Sequence, residues 1–150
     1  GQIVISGEKA AVSYASDLAK ESGAKRCIPL AVSGPFHTSL MKPAAEALHT
    51  RFLETTFHPM EVPVIFNATA RPLEEGKTVA QMLELQVQTS IHFDDSVRYM
   101  ADCGVDTIVE IGPGKALSKL VKKTVRDMRV FQVEDCVSLE ATITALEEMD

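Results

Sequence analysis

Thr107-Ile108-Val109-Glu110-Ile111-Gly112-Pro113-Gly114-Lys115 passes from strand to turn to helix in a few residues. Its first five residues are β-rich and mostly apolar, the pattern of a buried strand. Gly-Pro-Gly then turns the chain sharply. From Lys115 to about Asp127 apolar residues recur at Leu117, Leu120, Val121 and Val125, a helical spacing that continues to Met128. Arg129 to Val133 is a last strand and Ser138 to Met149 a last helix. The turn lacks the GxxxxGK[ST] spacing, so it reads as a structural turn and not a phosphate loop.

Working back from this run, the alternation continues. Asp94 or Asp95 is positioned to cap a helix that reaches Cys103 and stops at Gly104. Helices are also predicted over 78–86 and 43–56, separated by a short buried strand at Val64-Ile65-Phe66 and a surface loop over 67–76. Gln2 to Ser6 alternates and reads as a strand, Glu8 to Glu21 as a helix closed by Gly23, and Arg26 to Val32 as a second strand. Strand, helix, strand within this length is a βαβ-like or split-βαβ unit. Strands alternating with helices imply an α/β fold with helices on the faces of a sheet.

With 150 residues the chain is long enough for a real core, and 45% apolar with 24% charged residues fits a globular protein. A net charge of −6 argues against nucleic acid as partner. The three cysteines, Cys27, Cys103 and Cys136, lie far apart with no CxxC pair, which points to free thiols and a cytoplasmic location. No apolar run is long enough to cross a membrane. Gly1-Gln2-Ile3-Val4-Ile5-Ser6 opens mid-strand without an initiator methionine and reads as part of a longer protein.

The chemistry-bearing candidate is His37, in Ser33-Gly34-Pro35-Phe36-His37-Thr38-Ser39-Leu40-Met41. Gly34 supplies backbone freedom and Pro35 rigidity, so the corner is expected to aim the ring. From these residues alone two readings stand: a histidine that hydrogen-bonds in a loop, or one that takes and returns a proton. No pair among His37, His49, His58 and His92 has tight metal-ligand spacing, so no metal site is expected.

Four stretches in order resemble malonyl-CoA:acyl carrier protein transacylases. They are Gly34-Pro35-Phe36-His37 followed by Leu40-Met41-Lys42-Pro43-Ala44, Glu110 to Lys115, Ser96-Val97-Arg98-Tyr99-Met100, and the opening Gly1 to Gly7. The resemblance covers nearly the whole chain and favours the catalytic reading of His37. It implies an α/β-hydrolase-like acyltransferase domain carrying a small ferredoxin-like subdomain. Residues 1–33 would be the second half of the small subdomain, and 34–150 the C-terminal part of the large one. The family's serine nucleophile sits in a G-x-S-x-G elbow, and none of the ten serines here has that setting. No arginine of the chain falls in the family's carboxylate-holding motif either.

The implied reaction moves malonyl from coenzyme A to the phosphopantetheine thiol of acyl carrier protein in fatty acid synthesis, through a malonyl-serine ester. Malonyl-CoA is then a substrate, no cofactor is tightly bound, and the partners are acyl carrier protein and the missing N-terminal half. Neither nucleic acid nor membrane is a partner. His37 would be the base. The resemblance implies a backbone carbonyl as orienter of its ring, assigned to His92, where a glutamine is usual. Phe36 reads either as a core aromatic or as a filter selecting malonyl over methylmalonyl. Lys115, Lys119, Lys122, Lys123 and Arg126 share about a third of the circumference of one helix, and either form a solvated face or dock the acidic carrier. Two other functions compete: a non-catalytic carrier-binding module, and a Cys–His hydrolase using Cys27, Cys103 or Cys136.

Overall fold

The computed structural model describes residues 2–149, which form two compact units, one through Ile91 and one from His92. In the first, α1 (Lys9–Glu21) is followed by an extended segment, a short 3-10 turn at Ser39–Met41, α2 (Lys42–Phe52) and α3 (Val79–Gln88). In the second, α4 (Phe93–Asp102), β1 (Thr107–Ile111), α5 (Ala116–Thr124), β2 (Arg129–Val133) and α6 (Cys136–Glu147) follow in order.

The second unit is an α/β layer. β1 and β2 run parallel in register from Thr107 opposite Arg129 to Ile111 opposite Val133. Parallel neighbours require a crossover, and α5 supplies it. Val97 of α4, Val121 of α5 and Met128 are almost wholly buried together, with Phe93, Met100, Ile108, Val125 and Val130 packed around them. Of the apolar positions of the helical spacing from Lys115, Val121, Val125 and Met128 lie in this cluster. Leu117 sits at the first turn and is 47% exposed.

Local chemistry sets the ends of these elements. α3 and α6 each open on a reciprocal capping box, Thr78 with Gln81 and Asp135 with Ser138. α4 ends at Gly104, whose positive φ of 88° lets the Val105 amide reach the Met100 carbonyl at 3.0 Å. α4 opens without a side-chain cap. His92 is its N-cap residue, and Asp94 and Asp95 lie in the first turn instead of capping it. α5 ends at Thr124, so Arg126 lies beyond the helix and outside the expected stripe.

The first unit departs further from expectation. α2 packs on α3, and Ala45, Phe66, Ala70 and Met82 are buried. The strands expected over 2–6, 26–32 and 64–66 form no ladder among the described residues. The third is reduced to a single antiparallel bridge between Phe66 and Arg71. Their β-branched patterns set the backbone, but a strand is completed only by a neighbouring edge. Lacking one, Ile3 is 88% and Ile28 70% exposed.

Candidate active site

The corner around His37 is built differently from its sequence. Gly34 is not left-handed; His37 itself is, at φ +62°. A side-chain-bearing residue pays a steric cost there, and such residues gather where geometry serves chemistry. A Cβ at Gly34 would make only an ordinary contact with the Phe36 ring, at 3.6 Å, so neither φ nor space demands glycine there. Phe36 is 46% exposed, so it is not a core residue among those described.

The end of α3 holds the histidine. The last turn of any helix leaves carbonyls without intrahelical donors. Here Thr89 Oγ1 donates to the Leu85 carbonyl at 2.9 Å. The Gln86 carbonyl lies 2.8 Å from His37 Nδ1, and the Val87 carbonyl takes the His37 amide at 3.2 Å. A carbonyl can only accept, so Nδ1 carries a proton, and the neutral ring then has its lone pair at Nε2. The ring is thereby fixed in the tautomer of a base.

The orienting carbonyl therefore belongs to Gln86, in place of the expected His92. The His92 carbonyl is occupied by the Ser96 amide at 2.9 Å and the Ser96 hydroxyl at 2.8 Å. Its ring faces Asp95 at 3.4 Å, on the surface. The residue whose carbonyl meets the ring is itself a glutamine. The signal was present in the sequence: the helix was expected to end at Gln86, where carbonyls need donors.

The other candidates are spread through the chain. His49 pairs with Glu84 at 3.0 Å, joining α2 to α3. Cys27, Cys103 and Cys136 are free thiols, and no cluster among the described residues suits a metal ion. Lys115, Lys119, Lys122 and Lys123 line an open groove of about 770 Å³ between α5 and α6, over β2. Lys122 also donates to the Met128 carbonyl at 2.6 Å and so ties down the loop after α5. The start of α5 is held by Glu110, whose carboxylate accepts from the Leu117 amide at 3.1 Å and the Ser118 amide at 2.8 Å. The Ser118 hydroxyl and then its amide hold the Glu110 carboxyl below the ordinary carboxylate value.

No protein-family model matches the chain. A malonyl CoA-acyl carrier protein transacylase of Bacillus subtilis is 46% identical over 148 residues, covering 99% of this chain and 47% of that protein. Over nearly its whole length the chain is similar to malonyl CoA-acyl carrier protein transacylases. It spans about half the length of the curated relatives it matches. The crystal structure of a Clostridium perfringens transacylase superposes with a TM-score of 0.91 at 39% identity, over 95% of this chain and 45% of the other. A malonyl-transacylase in complex with its type II PKS acyl-carrier protein superposes at 0.87 and 37% identity, over 95% and 45%. No helix among the described residues is long and apolar enough to cross a membrane.

Proposed function

We propose that the chain is the histidine-bearing portion of a transacylase that moves malonyl from coenzyme A to acyl carrier protein in fatty acid synthesis. The observation that carries this reading is the His37 ring held through Nδ1 by the Gln86 carbonyl at 2.8 Å. The remaining portion of the protein supplies the serine. His37 Nε2 takes the serine proton as the hydroxyl attacks the thioester carbonyl, and returns it to the departing coenzyme A thiolate. The malonyl-serine ester is then attacked by the carrier thiol, whose proton passes through the same nitrogen. Coenzyme A enters only as a thioester substrate, with no bound cofactor.

The fold supports the same division of labour. Residues 1–33 complete a ferredoxin-like subdomain, and the exposed apolar segments over 2–5 and 28–32 are surfaces for the serine-bearing portion. Phe36, beside the histidine and half exposed, faces the acyl group and disfavours a methyl branch. Lys115, Lys119 and Lys123 attract the carrier, an acidic protein. That groove also favours the second reading, a module that binds the carrier without catalysis.

The test is a malonyl transfer assay with labelled malonyl-CoA and carrier protein. The chain by itself is expected to transfer nothing, because it holds the base and no serine elbow. Steady turnover by the pure chain would contradict the reading. Transfer by the enzyme completed with the serine portion excludes the binding-module alternative.

A further inference from the structure

His37 is held at its ring and its amide by α3, yet neither bond accounts for its left-handed backbone. That conformation must be enforced from both sides of the residue, because a side-chain-bearing residue left to itself relaxes to negative φ. The residue placed to enforce it is Thr38. Its hydroxyl donates to the Pro35 carbonyl at 2.7 Å, closing a ring of backbone around Phe36 and His37. The same oxygen accepts from the Leu40 amide at 3.3 Å, capping the 3-10 turn that follows. The Thr38 carbonyl takes the Met41 amide at 3.0 Å. Thr38 itself is extended, at φ −133° and ψ 165°, so the reversal lies in the two turn residues before it, Phe36 and His37, of which His37 carries the left-handed φ.

We infer that Thr38 is a positioning residue for His37: its hydroxyl ties Pro35 to the turn before α2 and so keeps the imidazole on the Gln86 carbonyl. The Thr38 hydroxyl bonds backbone before and after the histidine, not the ring, and takes no part in the proton transfer. Its effect passes through the backbone of its neighbour. Without the hydroxyl the Pro35 link opens, the His37 backbone relaxes, and the Cα–Cβ bond swings the ring away from Gln86. Nδ1 then loses its acceptor and the tautomer is no longer fixed. The catalytic meaning of this device rests on the transacylase reading above; the positioning itself does not.

The experiment has two arms. The first reads the ring directly, by ¹⁵N and ¹H NMR of the His37 imidazole in the 150-residue chain. The native chain and Thr38→Ser, which keeps the hydroxyl, are expected to show the Nδ1–H tautomer with a proton protected from exchange. Thr38→Val, of the same shape without the hydroxyl, is expected to show mixed tautomers and an unprotected proton. An unchanged Nδ1–H signal in Thr38→Val overturns the inference. The rotamer of Thr38 in the unmodified chain gives a second reading that depends on no variant. A single fixed χ1 supports the anchored hydroxyl, and averaging over rotamers overturns it.

The second arm measures transfer in the enzyme completed with its serine portion. Thr38→Val is expected to lower kcat roughly 10- to 100-fold, the scale of a small misplacement of a reacting group, with KM for malonyl-CoA within about twofold of native. Thr38→Ser is expected to restore most of the rate. A native rate in Thr38→Val also overturns the inference. If the ring responds as expected while the native enzyme moves no malonyl, the positioning stands and the transacylase reading falls.

Discussion

At the scale of single residues, the site turns on what an atom can donate or accept. The Gln86 carbonyl has no donor to offer, and that fact alone assigns the proton of His37 to Nδ1. The acceptor was misassigned from sequence for a physical reason. Every residue carries a carbonyl, so a backbone acceptor has no side-chain signature, and only the helix end at α3 points to it. The left-handed backbone of His37 is equally hidden, since in sequence Gly34 is the residue of the corner that tolerates positive φ. Phe36 was legible as a neighbour of the histidine but not as an exposed one. Its exposure separates its two readings by experiment. Phe36→Ser is expected to shift thermal stability little, as surface changes away from caps and cores do, within about 0.5 kcal/mol. In the completed enzyme it should relax the preference for malonyl over methylmalonyl by roughly 10-fold or more, the worth of one methyl in a pocket. A competition assay with an unchanged ratio would remove Phe36 from the acyl site.

At the scale of elements, β1 and β2 were legible to the residue and α5 to within one turn at its end, because their signals are local. Apolar alternation, the Gly112-Pro113-Gly114 turn and a helical repeat each act within a few residues. The cap of α5 was not legible, because it comes from a different element: Glu110 on β1 reaches the Leu117 and Ser118 amides. Being acidic, this cap gives α5 a pH dependence. The Ser118 hydroxyl and amide depress the folded-state value below the ordinary 4.5. The stabilisation is therefore complete above that ordinary value and is lost as pH falls through the lower folded value. Glu110→Gln has no such titration. Its melting temperature should fall less steeply than native between about pH 5 and pH 3. Parallel melting curves would show that the cap contributes nothing. The lysines of α5 belong to the same scale. Since Lys122 is tied to the Met128 carbonyl, the test uses the other two, Lys119→Glu with Lys123→Glu. The pair should raise KM for the carrier and flatten its salt dependence, leaving malonyl loading from coenzyme A near native. Equal losses in both half-reactions would place the groove elsewhere in the chemistry.

At the scale of the whole molecule, the α/β class was legible and three of the five expected strands were not recovered as ladders. The two that were, β1 and β2, pair with each other inside the second unit. The extended segments over 2–6 and 26–32 carry the same β-branched residues but meet no edge among the described residues. Periodicity reports which backbone a segment prefers, and a sheet also needs a partner that periodicity does not name. The same division runs through the chemistry. In the proposed function this chain carries the base, with its tautomer fixed by Gln86, and the serine that it activates comes from the portion of a transacylase that this chain does not span. The central claim is therefore that His37 performs the proton transfers, and it is tested most directly by His37→Ala in the enzyme completed with its serine portion. The expected result is a fall in malonyl transfer of roughly 10²–10⁴-fold, the usual worth of a positioned acid–base group, with malonyl-CoA binding little changed. Transfer by His37→Ala at a near-native rate would contradict the account.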